Sequence, residues 1–277
     1  MENKRETFEE RKEYYKKKLE NLTMMSDILA RNVLKDKAAC EYVLGILMED
    51  KSISVIENNV QVDYRNLHGR SVVLDCVAKD GQGKIFNVEV QQEDEGAHPK
   101  RARYHLGAMD MNVLNPGEFF DKLPETYVIF ITQNDVLGYG LPVAHIDRMI
   151  RENGIEFADE AHFIYADSSH QDDTEIGKLM HDFRCKNAKD MQAGALANRI
   201  KALKETEKGV EYMCKEMEEI RAEGIAEGIA EGIIEGKKEM VYSLAERKMS
   251  IEDIAQIAKV SIDTVKEWLS GSAFTAK

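Results

Sequence analysis

The chain has 277 residues, of which 43% are hydrophobic, enough to bury the core of one domain of about 200 residues plus a smaller unit. Its net charge of −13 argues against binding nucleic acid through bulk electrostatics, although an acidic protein can still carry a local basic groove. A run of about 18 apolar residues, which a transmembrane helix needs, does not occur, and the charged N-terminus lacks the apolar segment of a signal peptide. We therefore expect a cytoplasmic protein without a membrane partner.

The cysteines are too far apart in the sequence to suggest a structural framework. They are Cys40, Cys76, Cys185 and Cys214. Since none belongs to a CxxC pair, neither a disulfide framework nor a zinc site is expected.

The first predicted elements are helices, and strands follow them. Residues 1–22 carry mixed charge and predict an exposed helix or a frayed one. Apolar spacing predicts two more helices, over 23–35 and 37–49. The period then changes to two, and four strands are predicted, over 52–57, 60–66, 71–79 and 84–92.

Helices and strands alternate in the middle of the chain. A helix is predicted over 99–114, with proline at its first position. The fully apolar stretch 125–133 predicts a central strand. A helix over 141–153 and a short strand over 161–167 complete the pattern, which indicates a mixed α/β domain over residues 23–200.

The remainder of the chain has a helical period. Residues 222–236 repeat Glu-Gly every fourth position, which keeps the glycines near one stripe of a helix. Each interior glycine costs about 1 kcal/mol relative to alanine. The segment 201–240 is therefore predicted to be a helical tether, with an oligomerisation helix for a homo-oligomer as the alternative.

Residues 241–277 predict a separate small helical unit. Ser250 and Ser261 each precede an apolar-periodic stretch and are expected to cap helices. The pattern resembles the small helix-turn-helix units of sigma factors and transposases, with Lys259 at the position of their turn glycine. Residues 250–271 hold two lysines and four acidic residues, a weak footprint for binding phosphates. DNA binding and protein interaction therefore both stay open.

The chemistry is concentrated in the hairpin that residues 70–92 predict. If its turn is centred on Gln82, residues equally far from Gln82 on the two strands are paired. Asp75 then falls opposite Glu89. Gln91 shares a face with Glu89, since strands alternate with period two. A turn centred half a residue earlier would instead place Asp75 opposite Val88 and separate the two acids.

Two opposed carboxylates between apolar strands repel each other and are costly to desolvate. A divalent cation would remove that conflict, and Mg²⁺ prefers a few carboxylates together with water and phosphate oxygens. The alternative is that Asp75 and Glu89 lie at a solvated edge.

The hairpin resembles a known family. Its pattern LDxxAxDxxGxxxNVEVQ, over residues 74–91, is similar to the core motif of the PD-(D/E)XK nuclease family transposases, also called recombination-promoting nucleases. The similarity extends to Gln61, KRARYH at 100–105, YVIFIT at 127–132, GKLMHDF at 177–183 and the helical tail with its Glu-Gly repeats.

The resemblance implies a restriction-endonuclease-like fold, in which helices flank a mixed β-sheet. It also implies that Asp75 and Glu89 hold Mg²⁺ or Mn²⁺, with the Val90 carbonyl as a further ligand. Gln91 would replace the usual lysine and orient the attacking water or a phosphate oxygen. The remaining candidates are three basic residues for phosphate contacts and an acid on the first helix of the domain: Lys100, Arg101, Arg103 and Asp27.

The function expected from these residues is metal-dependent endonuclease cleavage of DNA in recombination or transposition of a mobile element. Two alternatives stay open. The chain could be an inactive DNA- or protein-binding module that retains the nuclease fold, or a helical interaction protein whose α/β domain is only structural.

Overall fold

The computed structural model describes residues 7–64 and 70–271. The ends of the predicted 1–22 helix and 241–277 unit, and residues 65–66 of the predicted strand 60–66, lie outside these ranges. The chain divides into two compact units, Met1–Lys215 and Glu216–Lys277. Among the described residues, no helix has the length and apolar character needed to cross a bilayer.

The first unit contains the helices α1 Phe8–Asn21, α2 Asp27–Leu34, α3 Lys37–Leu47, α4 Pro99–Val113, α5 Glu175–Arg184 and α6 Gly194–Lys204. Helix α7, Glu207–Glu246, begins in this unit and ends in the second. Helix α1 begins with a capping box between Thr7 and Glu10. It buries Tyr15 and Leu19, so the prediction of an exposed helix was wrong for that face, because two large apolar side chains on one face suffice to dock a charged helix.

The strands are β1 Val55–Tyr64, β2 Val72–Asp80, β3 Ile85–Gln91, β4 Thr126–Thr132, β5 Val143–Ile146, β6 Met149–Ile150, β7 Ile155–Glu156 and β8 Ala161–Asp167. Six of them form one mixed sheet in the order β1-β2-β3-β4-β8-β5, and β6 and β7 form a separate hairpin. Strands β3, β4 and β8 run parallel, and the other neighbours pair antiparallel. Helices flank the sheet, and the predicted mixed α/β fold is confirmed.

The turn between β2 and β3 fixes the register of the hairpin. The Asp80 carboxylate accepts the main-chain N–H groups of Gln82 and Lys84, both at 2.9 Å, and Gly83 supplies a φ of +92°. The paired residues include Cys76 with Val88 and continue to Lys79 with Ile85. The register centred on Gln82 is therefore confirmed, and the alternative that separates the acids is excluded.

Helix α4 covers the part of the sheet that carries the hairpin. Ala102, Leu106 and Met109 of this helix pack with Leu74 and Phe130 in one buried cluster. Helices α2, α3, α5 and α6 pack together, and α2 contacts β2 and β3 while α3 contacts β1. All seven residues of β4 are buried, which confirms its predicted central position.

Two further predictions differ from the structure. The helix predicted over 141–153 is wrong: β5 pairs with β8, and β6 pairs with β7. Apolar residues at a spacing of three also fit a helix, and pairing with the edge of the sheet outweighs that preference. The strands predicted over 52–57 and 60–66 are one strand, β1, whose register shifts between Val55 and Glu57.

The second unit ends in a small helical cluster. Helices α8, Ile251–Ala258, and α9, Ile262–Gly271, follow α7. Together with the end of α7 they enclose a buried core. Its residues are Val241 of α7 and Ile254, Ala255, Ala258 and Val265. Ser250 and Ser261 cap the two helices as predicted. Lys259 adopts a left-handed φ of +54° between them, which is the conformation that a turn glycine would otherwise supply.

Replacing Gly83 with alanine should destabilise the first unit by about 1–2 kcal/mol, because a side chain is unfavourable at positive φ. The matched control is Gly81→Ala in the same turn. A Cβ meets open space at both positions, but Gly81 does not have a positive φ. Urea unfolding followed by circular dichroism measures the difference. Equal stability of the two variants would contradict this role of Gly83.

Candidate metal centre

The β2–β3 hairpin opens at the two predicted acids. The ladder pairs Cys76 with Val88, and at the next position side chains replace the main-chain bonds. The Asp75 N–H donates to Glu89 Oε1 at 3.2 Å, and the Val90 N–H lies 3.4 Å from Asp75 Oδ2. Each carboxylate therefore accepts a hydrogen bond from a main-chain N–H group of the opposite strand. Asp75 and Glu89 are adjacent, as the register requires.

The pair is largely removed from water. Glu89 is 0% exposed and Asp75 is half-buried. Burial, followed by the charges of Glu89 and Asp27, raises the pKa of Asp75 to about 8, against the lowering effects of the Val90 N–H and Arg101. Burial beside a second acid therefore favours the protonated form of Asp75.

Asp27 lies at the start of α2, at the rim of this site. Its side chain is 54% exposed, and Arg31 is 3.9 Å from it. Partial burial and the charge of Glu89 nevertheless raise the pKa of Asp27, whereas the charge of Arg31 lowers it. The predicted third acid is therefore close enough to interact electrostatically with both Asp75 and Glu89.

Helix α4 and β3 supply hydrogen-bond donors to Glu89. Arg101 Nη2 lies 3.5 Å from Glu89 Oε2, and His105 Nδ1 lies 3.5 Å from Glu89 Oε1. Asn87 Nδ2 donates to the same Oε1 at 3.1 Å. Arg101 is itself held by the Gly96 carbonyl, which accepts from Nη1 at 2.9 Å.

Gln91 follows Glu89 on the same face of β3 and packs on a short 3₁₀ turn, Asp94–Ala97. A Cβ at position 96 would overlap Gln91 Oε1 and would lie 3.5 Å from Arg101 Nη1. The absence of a side chain at Gly96 therefore leaves space for the side chains of Gln91 and Arg101. The Gln91 carbonyl accepts from Gln133 at 3.0 Å, which ties the end of β3 to the end of β4.

Of the predicted phosphate contacts, the structure brings Arg101 to Glu89, whereas Lys100 and Arg103 are exposed on α4. The sequence prediction missed Asn87 and His105. Asn87 had a signal, because alternation places positions 87, 89 and 91 on one face of β3. His105 follows Arg101 by four residues, which places both on one face of a helix.

The donor set fits a hard divalent cation, since two carboxylates and a nearby main-chain carbonyl offer oxygen ligands only. Two other groups of three ligand atoms lie within 4.8 Å of one another among the described residues: His181, Asp182 and Cys185, and Asp147, Glu156 and His162.

Neither group is a better site. The oxygens of Asp182 already accept main-chain N–H groups of Gln192 and Ala193, each at 2.8 Å. Asp147 pairs with His162 at 2.5 Å, on a surface where both acids of that group are exposed.

A family model described as PD-(D/E)XK nuclease family transposase matches residues 35–257. Those residues include the hairpin, helix α4 and most of the helical tail. No curated protein and no solved structure significantly matches the chain. Nucleases with this fold generally use divalent metals.

The raised pKa of Asp75 predicts a pH dependence of stability in the metal-free protein. An unfolded aspartate loses its proton near pH 4, whereas folded Asp75 keeps it until about pH 8. Between these values the native state binds one more proton, so the free energy of unfolding falls as pH rises, by up to about 1.4 kcal/mol per pH unit.

Asp75→Asn should remove this slope. Urea unfolding by circular dichroism in a chelator, at pH 5 to 9, measures it, and the fluorescence of the single tryptophan, Trp268, reports separately on the second unit. An identical pH slope in wild type and Asp75→Asn would contradict the assigned protonation.

Proposed function

We propose that the chain, which belongs to the PD-(D/E)XK nuclease family transposases, is a Mg²⁺-dependent endonuclease. It would hydrolyse DNA in the movement of a mobile element. The observation that carries this proposal is the buried Glu89 beside Asp75 at the opening of the hairpin. A fold does not by itself imply activity, but two acids side by side in a buried site are costly, and a bound cation would lower that cost.

Asp75 and Glu89 would hold the cation, with the Val90 carbonyl as a third ligand and Asp27 at the rim of the site. When bound there, Mg²⁺ or Mn²⁺ lowers the pKa of a coordinated water and offsets charge on the phosphate. Because Asp75 binds a proton at neutral pH, cation binding must displace that proton.

Gln91 would orient the attacking water or a phosphate oxygen through its amide. It is neutral and cannot supply the positive charge that lysine brings at this position in related nucleases. Arg101 can supply that charge, since its guanidinium already lies beside Glu89 and presents donors suited to phosphate. Lys100 and Arg103, exposed on the same helix, would contact more distant phosphates.

We propose that the tail serves assembly rather than chemistry. Ile225, Ile229 and Ile233 are 45%, 57% and 55% exposed, and a Cβ at the intervening glycines meets open space. A second copy of the helix could approach closely along this stripe. The acidic character of α8 and α9 favours a protein contact over DNA for the terminal cluster.

Nicking of supercoiled plasmid by the wild type should require Mg²⁺ or Mn²⁺. Asp75→Asn and Glu89→Gln should each lower the rate by at least about 100-fold, because each loses a cation ligand. Glu57→Gln, which changes an exposed acid on β1, is the matched control and should cleave normally.

Each outcome has a defined consequence. If the folded wild type does not nick DNA with either metal but binds it tightly without one, the inactive binding module is favoured. Unchanged nicking by Asp75→Asn and Glu89→Gln would show that the site lies elsewhere.

Gly96→Ala should impair cleavage with little loss of stability. Its methyl group would displace the flexible end of Gln91 and crowd Arg101, so we expect a rate reduction of about tenfold or more, of the kind that misplacing a reacting group causes. Gly107→Ala on the exposed side of α4, where a Cβ meets open space, should leave the rate unchanged. Equal rates for the two variants would argue against a role for the Gln91 amide.

A further inference from the structure

The two oxygens of Glu89 have different surroundings. Oε1 faces three donors: the Asp75 N–H at 3.2 Å, Asn87 Nδ2 at 3.1 Å and His105 Nδ1 at 3.5 Å. Oε2 faces Arg101 Nη2 at 3.5 Å. Oε1 is thus surrounded by donors, whereas Oε2 retains lone pairs that a cation can use.

The tautomer of His105 follows from Arg101. Arg101 Nε always carries a proton and donates to His105 Nε2 at 3.2 Å, so Nε2 is the acceptor. In the neutral ring Nδ1 then carries the proton, and Glu89 Oε1 lies 3.5 Å from Nδ1. Asn87 Nδ2 also lies 3.5 Å from Nδ1, but a bond from Asn87 to Nδ1 would require the opposite tautomer, with Nε2–H facing the Arg101 donor.

The ring is in a fixed position as well. His105 is 2% exposed and its ring centroid is 6.0 Å from that of Phe130. A neutral imidazole donates a hydrogen bond without cancelling the negative charge of Glu89.

We propose that His105 is a positioning residue, which holds Glu89 through Oε1 so that Oε2 faces the bound cation, and which links Glu89 to Arg101. This inference rests on the proposed metal site. The terminal torsion of a glutamate is broad and roughly two-fold, so hydrogen bonds rather than rotamer preference must fix which oxygen is presented. Histidine in this role acts on the ligand and not on the substrate.

Titration calorimetry with Mn²⁺ tests the inference without relying on activity. His105→Leu removes the donor and should weaken Mn²⁺ affinity by about 10–100-fold, the usual effect of losing a partner of a metal ligand. His105→Asn places an amide N–H near the position of Nδ1 and should restore most of the affinity. If His105→Leu does not fold, His105→Gln is the substitute, because its amide lies near the position of Nε2 instead.

Leu106→Ala is the matched control for loss of packing. Leu106 is buried in the same helix, so the variant should be destabilised, yet it should bind Mn²⁺ like the wild type. In nicking assays, His105→Leu should need more Mg²⁺ for half-maximal rate and should recover most of its rate at saturation.

Unchanged Mn²⁺ affinity in His105→Leu would overturn the inference and leave the proposed function in place. Equal weakening in Leu106→Ala would also overturn it, because the effect would then be general. Absence of Mn²⁺ binding to the wild type would overturn the metal site itself, and the inference with it.

Discussion

Asp75 and Glu89 face each other inside the fold, where β2 and β3 separate and their side chains take over main-chain hydrogen bonds of the ladder. This contact is unfavourable by itself, since two acids share a site that excludes water. The fold sustains it by leaving a proton on Asp75 and by directing donors at Glu89. In the proposed metal site, a divalent cation would replace that proton with a larger charge.

Several elements of the fold position Asp75 and Glu89 and the residues around them. The turn at Asp80 and Gly83 sets the register that brings the acids together. Helix α4 brings Arg101 and His105 each to 3.5 Å from the Glu89 carboxylate. The central strand β4 fixes the end of β3 through its parallel pairing. A protein with a net charge of −13 thus places a guanidinium group beside its proposed metal site.

Much of the sheet could be predicted because local chemistry specified it. The turn residues determined the register of the hairpin, and the register determined which acids are opposed. The uninterrupted apolar run of β4 indicated a central strand. The segment 141–153 could not be resolved in the same way, since its apolar spacing suits a helix as well as a strand and only the edge of β8 decides between them.

The adjacency of Asp75 and Glu89 was predictable from the sequence, but the residues that support them were not. Asp75 and Glu89 belong to a pattern within one hairpin, whereas the approach of His105 depends on how α4 crosses the sheet. That crossing is set by packing among Leu106, Met109 and Phe130, which is a tertiary property without a local sequence pattern. The alternation of side chains along β3 could have identified Asn87, because it shares a face with Glu89.

The most direct measurement of the central claim is the anomalous diffraction of crystals soaked in Mn²⁺. If Asp75 and Glu89 hold the cation, a peak will lie within about 2.2 Å of one oxygen from each carboxylate, as Mn²⁺–oxygen bonds require, with Glu89 Oε2 as the oxygen nearest to it. A peak confined to His181 and Cys185, or the absence of a peak beside an ordered Glu89, would contradict the assignment of the metal centre.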